Sequence, residues 1–222
     1  MVRFYYTSSS YIELDVKSPT IKDETYNKID FIPYSTKQNI VKQGFIKRID
    51  FEIDFVDETT FNSFMAVLDD IFKISIDGSK FYYASYDGSS FQKTMWAGRF
   101  SGIFSFILQG LQYSLTERGI TADNVLPNTG NYEAEATFTI SGGGYSILKI
   151  SDGTREIVYT GTVDAGKTLI IQNWKAYVDG EEFSQNLSGD YPLIPANQDN
   201  FKFTITGTGA SNVLVKYRDT WR

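Results

Sequence analysis

Apolar and polar side chains alternate one for one over several short stretches of this chain, and a period of two dictates pleated strands with one dry face and one wet face. The clearest stretch sets Ile49, Phe51, Ile53 and Phe55 between Asp50, Glu52 and Asp54. A second sets Ala134, Ala136, Phe138 and Ile140 between Glu133, Glu135, Thr137 and Thr139. The 17 Phe and 15 Tyr favour strands over helices. With 41% hydrophobic residues among 222, the chain is rich enough to fold rather than stay disordered, as one large domain or two smaller ones. The expected fold class is therefore mainly β.

One segment breaks the period. Asp57 is placed to cap a helix, and Phe61, Phe64, Met65, Leu68, Ile71 and Phe72 follow at spacings of three and four. This predicts one amphipathic helix over residues 58–71, packed on a sheet through its apolar stripe, with Asn62, Ser63, Asp69 and Asp70 facing water. Lys73 to Asp77 and Lys80 to Tyr86, joined by Gly78-Ser79, read as a hairpin, with a further turn at Asp87-Gly88. Met95 to Phe100, Gly102 to Leu108 and Leu111 to Leu115 read as further strands.

The second half has no comparable helix. Strands are expected at Tyr145 to Ile150, Glu156 to Thr160, Thr168 to Asn173, Lys175 to Val178, Phe201 to Thr206 and Val213 to Tyr217, with turn residues between most of them, which is the pattern of an antiparallel sandwich. The turn-rich run Gly119 to Asn131 is the best candidate linker. The expected organisation is a β domain over 1–119, a linker over 120–131 and a sandwich over 132–222.

The absence of Cys and His removes thiol nucleophiles, Ser-His pairs and Cys/His zinc sites. Net charge is −6, shared between the halves: residues 1–119 hold 13 basic and 15 acidic side chains, and residues 120–222 hold 8 and 12. Without a basic patch denser than Lys47-Arg48, specific nucleic-acid binding is not expected. No signal peptide or membrane-spanning run is apparent, and a disulfide-free chain suits assembly in a reducing cytoplasm.

Five features invite chemistry. Gly161-Thr-Val-Asp-Ala-Gly166-Lys167-Thr168 satisfies the P-loop pattern, in which Lys167 would reach phosphates and Thr168 would hold magnesium. However, Leu169-Ile-Ile follows where a helix N-terminus is required, and too little chain remains to complete a parallel sheet. A coincidental turn is the reading. Asp50, Glu52, Asp54, Asp57 and Glu58 are oxygen donors of the kind that hold calcium or hydrolyse glycosides, but the alternation puts the first three on a wet strand face, where charges belong. Gly207-Thr-Gly209 reads as a β-turn, and Asn186-Leu-Ser188 as a sequon without a secretion signal. Trp174 and Tyr177 are of the type that stacks on sugars, although packing is the commoner use. No catalytic residue, metal or cofactor is expected.

The C-terminal half carries Tyr159-Thr-Gly-Thr-Val-Asp-Ala-Gly166, Leu169-Ile-Ile, Tyr177-Val-Asp-Gly180, Asn186-Leu-Ser-Gly-Asp-Tyr-Pro-Leu193, Asn200-Phe-Lys-Phe-Thr-Ile-Thr-Gly-Thr-Gly209 and Val213-Leu-Val-Lys-Tyr-Arg-Asp-Thr-Trp221. Over residues 133–222 this resembles the galectin-like sandwich of siphophage distal tail proteins, where a Ser-Gly-Asp-Phe-Pro type loop and a terminal Tyr-Arg-x-x-Trp strand recur. Here Tyr191 stands in the Phe position. The first half resembles the family's N-terminal β-barrel with one helix by layout. The resemblance implies a non-enzymatic virion component of the tail tip. It would form a ring with copies of itself, usually six, between the tail tube protein and the tip hub protein, with the N-terminal domains lining a DNA channel. The alternative is a carbohydrate-binding sandwich for host-surface polysaccharide, although the strand spacing leaves no room for the sugar-binding inserts some members carry.

Overall fold

The computed structural model describes residues 1–24, 46–87, 100–207 and 212–222. Their backbone divides into two compact units, the first ending at Leu115 and the second beginning at Thr116.

The first unit comprises β1 (Val2–Tyr5), β2 (Tyr11–Leu14), β3 (Val16–Glu24), β4 (Ile46–Phe55), α1 (Glu58–Val67), β5 (Lys73–Ser75), β6 (Lys80–Tyr86) and β7 (Phe100–Ser114). The strands form an antiparallel sheet in the order β2-β1-β5-β6-β7-β4-β3, curled into a half-barrel. The predicted alternation is β4, between β7 and the edge strand β3: β4 pairs with β7 from Ile46↔Gln109 to Phe55↔Phe100, and Ile49, Phe51, Ile53 and Phe55 are all buried. Phe64 of α1 plugs that dry face. Its ring lies 5.2 Å from Phe4 and 5.1 Å from Phe104, both edge-on, the geometry ring quadrupoles prefer.

Asp57 caps α1 by accepting a hydrogen bond from the Thr60 N–H at 2.6 Å. The helix is shorter than its apolar pattern suggested. It ends at Val67 and tightens into a 3-10 turn over Leu68–Asp70, and Ile71 follows as buried core ahead of β5. Met65 and Phe72, expected in the buried stripe, are 40% and 37% exposed, because a ten-residue helix on a curved sheet covers only the Phe64-Leu68 line.

The two strands expected at 102–108 and 111–115 are one, β7. Gly110 does not break it but lies in a bulge, where Ala84↔Leu108 is followed by Tyr82↔Gln112 and β7 advances four residues against two. The Met95 to Phe100 stretch lies outside the described residues except for Phe100, as does Gly88.

The second unit comprises β8 (Arg118–Thr121), β9 (Ala134–Ser141), β10 (Tyr145–Ser151), β11 (Glu156–Val163), β12 (Leu169–Gln172), β13 (Lys175–Val178), β14 (Glu181–Glu182), β15 (Leu187–Gly189), β16 (Leu193–Ile194), β17 (Thr204–Thr206) and β18 (Asn212–Tyr217). One antiparallel sheet runs β14-β13-β12-β9-β18-β8, with β16 also on β9; the other runs β15-β11-β10-β17. Phe138, Ile140, Leu169, Ile171 and Val215 of the first sheet meet Leu148, Ile150, Ile157, Tyr159 and Val163 of the second in one buried core. This is the expected sandwich.

Part of the run expected as a linker, 120–131, is paired or buried within the second unit. Residues 118–121 are strand β8, paired with β18 from Tyr217↔Arg118 to Leu214↔Thr121, and Leu126 and Asn128 are fully buried. Its turn-forming residues do turn the chain, but Ile120, Ala122 and Leu126 pin it to the sandwich core.

The first core predicts a measurable asymmetry. Phe64→Ala should cost about 3–5 kcal/mol through the cavity it leaves, and Asp57→Ala only about 1 kcal/mol through the lost cap. Urea unfolding of both variants checks the order.

Candidate functional site

The P-loop-like residues form a strand and a turn. Gly161 lies within β11, the chain turns over Asp164 to Lys167, and β12 starts at Leu169. The amides that would cradle a phosphate are used locally: Gly166 N–H donates to the Gly142 carbonyl, Lys167 N–H to the Asp164 carbonyl and Thr168 N–H to Asp179 Oδ1. Lys167 Nζ lies 3.5 Å from the Asp164 carboxylate.

The carboxylates of β4 and its helix junction are spread rather than gathered. Lys17 Nζ lies 3.3 Å from Glu52 and 2.7 Å from Asp54, and Arg48 bridges Asp50 at 3.5 Å and Asp87 at 3.2 Å. Asp57 is the helix cap. Among the described residues, no group of three or more His, Cys, Asp or Glu side chains is placed to hold a metal. Asn186 ends a 3-10 turn and Ser188 lies on β15, while Thr208 and Gly209 of the glycine-containing turn lie outside the described residues.

The two motifs that carry the family resemblance do converge, on the scaffold of the sandwich. In the Ser188-Gly-Asp-Tyr-Pro-Leu193 loop, β15 pairs with β11 and β16 with β9, so this one segment ties the two sheets together. Gly189 has φ 92, and a Cβ there would collide with the Glu156 carbonyl, which is why glycine is required. Tyr191 is buried, with its hydroxyl 2.6 Å from the Ala136 carbonyl and 3.2 Å from that of Ile171. A Phe there would fill the space without reaching those carbonyls. Asp152 locks the loop from the β10–β11 turn by accepting from the N–H groups of Thr154, Arg155 and Leu193. Burial works to raise the Asp152 pKa, but those donors and the nearby Arg155 charge outweigh it and hold the group below the ordinary carboxylate value.

The Tyr217-Arg-Asp-Thr-Trp221 strand end makes the second anchor. Tyr217 donates its hydroxyl hydrogen to the Pro127 carbonyl at 2.8 Å, and buried Asp219 accepts from Arg118 at 2.8 Å and Thr129 at 2.9 Å. Asn128, fully buried, donates to the carbonyls of Tyr132, Ile194 and Pro195 and accepts from Gly130 N–H. Sequence reasoning did not single out Asn128, Asp152 or Asp219. The available signal was a polar residue beside turn glycines or inside the terminal motif.

Of the two aromatic candidates, Trp174 is the more accessible, at 43% exposure. It forms the β12–β13 turn with Asn173, at φ 61 and 49, where a bulky side chain costs about 1–2 kcal/mol. Its ring contact with Tyr191, at 5.7 Å, returns about 0.5–1.5 kcal/mol beyond what the buried part of the indole contributes. Tyr177, on β13, is half-buried.

No family model matches the chain, and no curated protein matches it. The class its architecture defines is a two-unit, mainly β chain with a helix-bearing sheet followed by an antiparallel sandwich. That architecture is the fold of the SPP1 Dit protein, a structure described as a paradigm of hub adsorption apparatus in Gram-positive infecting phages: TM-score 0.55, 12% identity, covering 94% of this chain and 94% of that one. The fold implied by the sequence resemblance is thus the fold found. A sucrose-6-phosphate hydrolase from Lactobacillus gasseri overlaps 63% of this chain and 38% of its own at TM-score 0.23, too low to bear on function.

Two predictions follow from the anchors. Asp152→Ala leaves three backbone donors without their acceptor and should cost about 2–3 kcal/mol in urea unfolding. Burial raises the Tyr217 phenol from 10.0 to about 12 and pushes Tyr191 upward as well, with the Glu135 charge adding to burial at Tyr191. The folded state favours the neutral phenols, so their contribution is intact below pH 10 and is lost as pH rises toward 12. The urea midpoint should fall over that window, and fall less in Tyr217→Phe.

Proposed function

We propose that this chain is a non-enzymatic structural subunit of a bacteriophage tail tip. It closes with copies of itself into a ring, six in the family it resembles, that joins the tail tube protein to the tip hub protein and surrounds the DNA channel. It is assembled in the host cytoplasm and resides in the virion. The observation that carries this reading is the shared fold over 94% of both this chain and the SPP1 Dit protein, together with the terminal motifs read from sequence.

The electrostatics support it. A conduit for DNA should repel rather than grip phosphate, and the chain is acidic at −6. The bases Lys17 and Arg48 are paired with carboxylates rather than offered to a phosphate backbone. Ring closure calls for head-to-tail contacts between neighbouring copies.

Negative-stain electron microscopy with light scattering tests the reading. The expected result is a closed ring with a central hole and a mass six times 25.1 kDa, formed alone or on addition of tail-tube rings. A protein that stays at 25.1 kDa under both conditions contradicts it.

A further inference from the structure

We propose that the buried carboxylate of Asp219 holds one internal water molecule on its Oδ1 atom, so that solvent completes the fastening of the chain's end to the segment entering the sandwich. The site lies within the second unit and does not depend on the ring reading.

The two oxygens of Asp219 are served unequally. The side chain is 5% exposed. Oδ2 accepts three hydrogen bonds, from Arg118 Nε at 3.3 Å, Arg118 Nη2 at 2.8 Å and Thr129 Oγ1 at 2.9 Å. A guanidinium that meets a carboxylate fork to fork gives each oxygen one donor, but here both Arg118 donors fall on Oδ2. Oδ1 is enclosed, and no donor among the described residues reaches it. Buried polar atoms of native proteins nearly always have a partner, from the protein or from ordered water.

Arg155 Nη1 is also enclosed without a hydrogen-bond partner, but its setting differs. It lies 3.9 Å from Asp152 Oδ2, and the Arg155 side chain is 28% exposed, so bulk solvent reaches the same guanidinium. The Asp219 carboxylate has no comparable exposure.

Three small species can satisfy a buried carboxylate oxygen. A proton on Oδ1 creates a hydroxyl that needs an acceptor in its turn, and it discards the charge pair with Arg118. A calcium or magnesium ion takes about six oxygen ligands or more. Arg118 already supplies the positive charge, and among the described residues no acidic cluster is gathered to hold a metal. Water donates one hydrogen to Oδ1 and keeps its lone pairs and second hydrogen for neighbours. Those neighbours are at hand: a guanidinium has N–H groups beyond the two that Arg118 gives Asp219, and Thr129 Oγ1 keeps lone pairs after donating. An internal water ordinarily makes about three such bonds.

A high-resolution crystal structure of the full chain tests the site. The expected result is one solvent peak about 2.7–3.0 Å from Asp219 Oδ1, with a second contact to Arg118 or Thr129. Asp219→Asn should keep the peak, because water accepts from an amide as readily as it donates to a carboxylate, and Asp219→Val should lose it. The proposal is overturned by a wild-type map with no peak at Oδ1, by a protein donor within hydrogen-bond distance of it, or by a peak ringed by about six oxygens at cation distances. A peak that survives in Asp219→Val overturns it too, since other groups then hold the water. The wild-type map decides the matter even if neither variant folds.

Discussion

A sheet with one apolar face is not stable in water until something covers that face, and this chain meets the constraint twice by different means. In the first unit the cover is a ten-residue helix whose Phe64 wedges between Phe4 and Phe104. In the second it is another sheet, so that β9 and β12 bury Phe138, Ile140, Leu169 and Ile171 against β10 and β11. The long β4–β7 ladder keeps the first cover in register, because a slip of one residue would turn Ile49, Phe51, Ile53 and Phe55 to solvent and Asp50, Glu52 and Asp54 inward.

What the sequence displayed was whatever shows up as a period. The alternation at 49–55 and 133–140 and the Asp57 cap are local signals, and the structure contains β4, β9 and α1 at those places. What stayed hidden depended on partners distant in sequence. β1, β2 and β3 are short, or interrupted by polar residues, and owe their pairing to β5 and β4. The 120–131 run has the composition of a linker, yet Ile120 and Leu126 find the sandwich core, which no local pattern announces. Gly110 has the look of a breaker and acts as a bulge, because its neighbour β6 supplies the ladder on both sides.

The residues that carry the family resemblance are anchors, and this bears on how function arises here. The Gly189-Asp-Tyr191 loop stitches one sheet to the other, and Tyr217, Asp219 and Asn128 fasten the chain's end to the segment entering the sandwich. A motif of this kind specifies a rigid body rather than a reaction centre. The P-loop-like stretch reinforces the point: its amides and Lys167 are consumed by the turn they build. A subunit of the proposed kind would hold neighbours in place, and a rigid scaffold suits that role.

The most direct measurement of the proposed role is immunogold electron microscopy of phage lysates, using an antibody raised against the pure protein. The account predicts gold confined to the distal end of the tail, where the tube meets the tip. Label distributed along the tail shaft or on the capsid would contradict it.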